Sequence, residues 1–148
     1  MNTMEYLQQG RILDQRINFN LHRLQEIKNG LCGLRSPQID QERVQTSRSE
    51  DAHFVRGLMK MEEMQERLNQ EIELLMKLRG QIEETIRTVP SSEYQMVLMY
   101  RYLGVWSWTQ IGEALGVGKS TAKRWHHEAL KQVRMPEHPL RITQGDAR

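Results

Sequence analysis

Six side chains near the C-terminal end carry the clearest chemistry. Lys119, Ser120, Lys123, Arg124 and His127 recur at i, i+1, i+4, i+5 and i+8, which at about 3.6 residues per turn places them on one face of a helix, with Lys131 one turn beyond. Ammonium and guanidinium groups neutralise phosphates. An arginine fork can also take guanine O6 and N7 together. Lys119 and Ser120, at the start of that helix, are placed for base edges or nearby phosphates. Lys123 and Arg124 lie one turn on, with Arg124 suited to the guanine contact, and His127 and Lys131 fall toward the backbone. Thr109 and Gln110 open the preceding helix, where its first N–H groups can also meet phosphates. The plain alternative is a solvated, charged helix surface. What decides between the two is whether the surrounding chain builds a frame for that face.

The frame is legible. Ser107-Trp108-Thr109-Gln110 is a capping box, followed by Ile111, Ala114 and Leu115, with Gly116 as the residue that tolerates positive φ. A further helix runs from about Lys119 to Val133, ahead of Pro136. Upstream, Ser92-Glu93-Tyr94-Gln95 reads as another capping box, and Gly104 closes the helix it starts. Small residues at Gly112 and Ala122 suit a close crossing of the last two helices. Ile111, Leu115, Val117, Trp125 and Leu130 can form a core with Val97, Leu98 and Leu103. Residues 90–135 therefore predict a small helix-turn-helix domain, and its exposed face predicts double-stranded DNA as the partner.

Two longer helices precede it. From about Thr3 to Gly30 the positions Leu13, Ile17, Asn20, Leu24, Ile27 and Leu31 alternate four and three apart, the seam of an amphipathic helix. Residues 32–49 lose that period and read as a linker. From about Glu50 to Thr88, Met61, Leu68, Leu75, Ile82 and Val89 fall seven apart, with Leu58, Gln65, Ile72, Arg79 and Ile86 as a companion row. The expected seam is Leu58, Met61, Leu68, Ile72, Leu75, Ile82 and Ile86. Such a helix needs a partner, either the first helix in a hairpin or a second chain. Pro90 ends it. The fold class expected is all-α: a long helical hairpin or coiled coil over 1–89, the helix-turn-helix over 90–135, and a polar tail over 136–148.

Charge supports this division. Residues 1–90 hold 13 Lys/Arg against 14 Asp/Glu, whereas residues 91–135 hold six against three. The basic excess sits where phosphates would be met. Cys32 is the only cysteine, which leaves no intrachain disulfide and no cysteine-based zinc site. No apolar run approaches the roughly 20 residues of a membrane span, and no signal-peptide core is present. The expectation is a soluble protein of the cytoplasm of a bacterial host cell.

Three other signals do not amount to sites. Gly118-Lys119-Ser120 resembles the end of a phosphate-binding loop, but the pattern needs a glycine where Glu113 stands and a strand where Trp108–Leu115 reads as helix. His126 and His127 point about 100° apart on a helix and lack a third ligand. The methionines Met59, Met61, Met64 and Met76 are adaptable packing rather than a functional surface. No catalytic set, metal site or cofactor is expected.

The stretch Tyr100-Arg101-Tyr102-Leu103, Ser107-Trp108-Thr109-Gln110-Ile111-Gly112 and Leu115-Gly116-Val117-Gly118-Lys119-Ser120-Thr121-Ala122-Lys123-Arg124 resembles the region-four helix-turn-helix of bacterial sigma factors. It departs from that pattern at Gly112, Gly118 and Ala122. Glu5-Tyr6-Leu7, Leu13-Asp14-Gln15-Arg16-Ile17, the polar gap, the long helix and the Val89-Pro90 to Glu93-Tyr94 junction are similar to the ArpU-like phage regulators. The resemblance implies a sequence-directed DNA-binding regulator of phage gene transcription, and the coiled-coil seam adds the expectation of a homo-oligomer. Two rivals stand beside it. One is DNA recognition for genome packaging, as in small terminase subunits. The other is a protein-interaction module, with RNA polymerase as an example of a partner, that does not read DNA.

Overall fold

Apolar side chains three and four apart along two long stretches produce two long helices. In the computed structural model, which describes residues 1–34 and 47–142, these are α1 (Thr3–Leu34) and α2 (Ser47–Ile86). Three shorter helices follow: α3 (Ser92–Leu98), α4 (Trp108–Leu115) and α5 (Lys119–Gln132). A π-helical stretch, Met99–Leu103, joins α3 to the loop before α4. Among the described residues there is no β-strand, and no helix is long and apolar enough to cross a membrane. The chain is all-α.

Helix α1 runs through Gly30 and Gly33, so Cys32–Leu34, expected in the linker, are helical, as are Ser47–Ser49. Isolated glycines cost a helix only about 1 kcal/mol each, too little to stop one held by its packing. The rest of the expected linker, 35–46, lies outside the described residues.

The chain divides into two compact units. One comprises Met1–Asp14 and Leu74–Arg148, the other Gln15–Glu73. Within the second, α1 and α2 run antiparallel. Arg16 Nε lies 3.0 Å from Glu71 Oε1, Asn20 Nδ2 donates to Glu71 Oε2 at 3.1 Å, and Leu31 packs on the bare backbone of Gly57. Asn20, the one polar member of the α1 seam, is thus matched by a carboxylate that is itself only 8% exposed.

That carboxylate corrects the expected α2 seam. Leu68, Leu75, Ile82 and Ile86 are buried, and Leu58 and Met61 are half-buried, but Ile72 is 36% exposed. Gln65 and Arg79, from the same row, are exposed too. In place of the exposed Gln65, Ile72 and Arg79, the inward positions are those a residue earlier: Met64, half-buried, then Glu71 and Leu78, both buried, and Thr85 is buried beside Ile86. Both rows keep heptad spacing, and the expected one contains an isoleucine where the real one contains a glutamate. Glu71 is buried because Arg16 and Asn20 satisfy it, and apolar periodicity cannot show that.

In the other unit, the start of α1 packs on the end of α2. The Tyr6 hydroxyl donates to Gln81 Oε1 at 2.8 Å, and Tyr6, Leu7, Leu13, Leu78, Ile82 and Ile86 are fully buried. A side chain at Gly10 would press on Ile82. Helices α3–α5 complete this unit.

Candidate nucleic-acid interface

The frame of the interface starts at the end of α2. The N-cap of α3 is Ser91, not Ser92, its hydroxyl accepting from the Tyr94 N–H. Gln95 therefore takes no part in a capping box. Its amide instead donates to the carbonyls of Val89 and Arg87, which satisfies groups left over where α2 stops. Val97 and Leu98 are buried, and Tyr94 lies 6.4 Å from Trp125, ring centre to ring centre. One helix thus joins α2 to the underside of α5.

The π-helical stretch alters the expected ending at Gly104. Gly104 donates to Met99 O at 2.9 Å, and its φ is −80°. The positive φ falls on Val105, at 58°. Gly104 is needed for a different reason: a Cβ there would come within 2.9 Å of Tyr100 O. Three arginines hold this loop through its carbonyls. Arg11 donates to Arg101 O, Arg79 to Leu103 O and Arg101 to Trp106 O, at 2.8, 2.9 and 3.0 Å. None of these contacts is visible in local sequence patterns.

Helix α4 begins with the expected capping box. Ser107 Oγ accepts from Gln110 N–H at 3.3 Å, and Gln110 Oε1 accepts from Ser107 N–H at 2.9 Å. The Gln110 carbonyl is therefore committed to the cap, while Thr109 stays exposed. The helix ends at Gly116, φ 69°, with Val117 N–H reaching Gly112 O and Gly116 N–H reaching Glu113 O. This pair of bonds is a Schellman turn. Gly112 serves that turn rather than a crossing of helix faces, since a Cβ on it would meet Val117 O at 2.8 Å. Ala122, fully buried, supplies the small contact surface on α5.

Beneath α5 lies an aromatic and polar cluster. The Tyr102 hydroxyl and His126 Nε2 share a hydrogen bond of 2.6 Å. Trp108 meets the His126 ring edge-on at 4.8 Å, and the Arg101 guanidinium covers Trp108 at 4.3 Å. Burial, reinforced by the charges of Arg101 and His127, pushes the His126 pKa down to about 4. Burial likewise pushes the Tyr102 hydroxyl up to about 12. Both are neutral near pH 7, as a bonded pair in the core should be. Of the two adjacent histidines, His126 is thus structural, and among the described residues no cluster of metal ligands forms. Trp106 stacks on Tyr100 at 4.4 Å, outside this cluster.

With Ala122, His126 and Ala129 inward, α5 turns Lys119, Ser120, Lys123, Arg124, His127 and Lys131 to solvent. All six lie on one exposed face. Lys131 shares its charge with Glu128 at 3.1 Å, in an exposed pair of small energetic weight. Gly118 is the N-cap and brings no side chain to that role. The result is a cationic, hydrogen-bonding helix face at the front of a rigid turn, of the kind that enters a major groove.

Comparison with known proteins gives one finding. Residues 91–135 match the family model "Sigma-70, region 4". The match spans helices α3–α5 and supports a helix-turn-helix similar to that of the DNA-binding region-four domains. No curated protein and no solved structure matches the chain.

Proposed function

We propose that this chain is a sequence-directed double-stranded DNA-binding protein that regulates transcription of phage genes. The observation that carries the reading is the single exposed face formed by Lys119, Ser120, Lys123, Arg124 and His127 on the last helix of a region-four-type helix-turn-helix. Lys119 and Ser120 meet bases or phosphates at the groove entrance. Arg124 takes a guanine. Lys123, His127 and Lys131, with Thr109 and the first N–H groups of α4, hold the backbone. The similarity of the N-terminal pattern to ArpU-like regulators supports the phage setting.

A small head makes few base contacts, so useful selectivity comes from linking two or more heads. The exposed apolar residues of α1 and α2, among them Phe19, Val55, Met59 and Ile72, support a homo-oligomer built on the long helices. The region-four match also supports a second partner, RNA polymerase, alongside DNA.

Selection of duplexes from a random pool tests the reading. The expected outcome is an enriched motif containing a guanine whose preference is lost in Arg124→Ala, at roughly 1–3 kcal/mol. A pool that stays unenriched with folded protein contradicts it.

A further inference from the structure

Among the described residues, 133–142 after α5 are held by side chains of α1, α2 and the turn that follows α2. At Val133 the backbone leaves helical geometry (φ −69°, ψ 132°). The Arg134 N–H then donates to Thr88 Oγ1 at 3.1 Å. Farther on, two glutamines grip the backbone at alternate residues. Gln81 Nε2 donates to His138 O and Gln81 Oε1 accepts from Leu140 N–H, at 3.0 and 2.8 Å. Gln9 Nε2 donates to Leu140 O and Gln9 Oε1 accepts from Ile142 N–H, also at 3.0 and 2.8 Å. Each side-chain amide thus offers a donor and an acceptor, as a neighbouring strand would.

Both glutamines are themselves fixed. Gln9 is 9% exposed and also donates to Tyr6 O at 3.2 Å, and Gln81 Oε1 receives the Tyr6 hydroxyl. Leu140 and Ile142 are only half-buried, so much of the hold lies in these hydrogen bonds. A buried amide that matches backbone donors and acceptors recognises an extended chain, not particular side chains. Here that chain is the one leaving α5.

We infer that Gln9 and Gln81 are positioning residues for DNA reading. Through the backbone of residues 138–142 they fix the C-terminal end of α5, whose other end is already fixed by the Schellman turn. This rests on the DNA-binding reading of α5. When the strap is released, the last turn of α5, which carries Lys131, frays. The reading face then loses its fixed orientation while keeping all its charges. Selective affinity falls and charge-driven, non-selective affinity stays.

A double-mutant cycle in the full-length chain tests this. Gln9→Leu removes the grip, and Ile142→Pro removes the N–H that Gln9 accepts. Leu140→Pro does the same for Gln81→Leu. The readouts are hydrogen exchange at the strap N–H groups that each variant keeps, Leu140 in Ile142→Pro and Ile142 in Leu140→Pro, and the ratio of affinities for the selected duplex and a random one. Each proline change, which removes one strap hydrogen bond, is expected to lower that ratio roughly fivefold, and each leucine change, which removes two, by at least as much. Each double change is expected to lower it no further than its leucine single. An unchanged ratio with rapid exchange across the strap overturns the inference and leaves the DNA reading intact. Effects that multiply in the double variants also overturn it, because the residues then act separately. A wild-type chain with a protected strap and no selectivity removes the DNA reading and the inference with it. Should Gln9→Leu fail to fold, the affinity ratio of Ile142→Pro, a change outside every helix, separates the same outcomes.

Discussion

The helix-turn-helix head and the hairpin of residues 15–73 bury polar groups in opposite ways. In the head, Tyr102 and His126 are neutral, bonded to each other and walled by Trp108. In the hairpin, Glu71 is a carboxylate placed between the Arg16 guanidinium and the Asn20 amide. A neutral pair tolerates burial as long as both members stay neutral. A charged group tolerates it only while its partners remain. The head is therefore sensitive to pH, and the hairpin to the loss of a single side chain.

The largest expected effect follows from the hairpin. Glu71→Ala leaves Arg16 without its counter-charge, and urea unfolding is expected to show a loss of roughly 3 kcal/mol. Replacing Arg16, Asn20 and Glu71 together by leucine is expected to restore most of that stability. If the triple variant were as weak as the single one, the three residues would not act as a unit.

The head should show the next effect, on acidification. The folded pKa of His126, about 4, lies below its ordinary value of 6.5, so the folded state favours the neutral ring. Its contribution is complete above pH 6.5 and is lost as pH falls toward 4. The loss is on the order of 2–3 kcal/mol. Carboxylates titrate in the same window, so the measurement is the difference between wild type and His126→Gln in urea midpoint at pH 7.5 and pH 4.5. A wild-type slope equal to that of the variant would show that His126 takes up its proton as easily folded as unfolded.

The turn offers two smaller changes. Gly116→Ala places a Cβ at φ 69° and is expected to cost roughly 1–2 kcal/mol. Gly118→Ser adds a capping hydroxyl where nothing lies in its way, and it should raise stability by a few tenths of a kcal/mol. Thermal melts of the two variants check both signs.

The same contrast explains what sequence patterns reveal. The capping box at Ser107, the left-handed Gly116 and the outward face of α5 follow from local chemistry, because each requirement is met within a few residues. The hairpin seam is legible at Leu68, Leu75 and Ile82 but not at Glu71, whose burial depends on residues 51 and 55 positions earlier in the chain. The arginine bonds to the loop before α4 are similarly remote, as is the grip of Gln9 and Gln81 on the final segment. Gly112 is legible as a close approach, though not as an approach to its own turn. The π-helical stretch Met99–Leu103 and the positive φ at Val105 have no signature in side-chain type.

The most direct test of the α5 face as a DNA reader is the salt dependence of binding to a selected duplex, with wild type and the Lys123→Glu/Arg124→Glu double variant side by side. Wild type is expected to bind selectively and to weaken linearly on logarithmic axes as salt rises, by roughly 0.9 per phosphate neutralised. The double variant, with its fold intact by circular dichroism, is expected to lose selectivity. Equal binding by the two proteins would contradict the assignment of the α5 face as the DNA-reading surface.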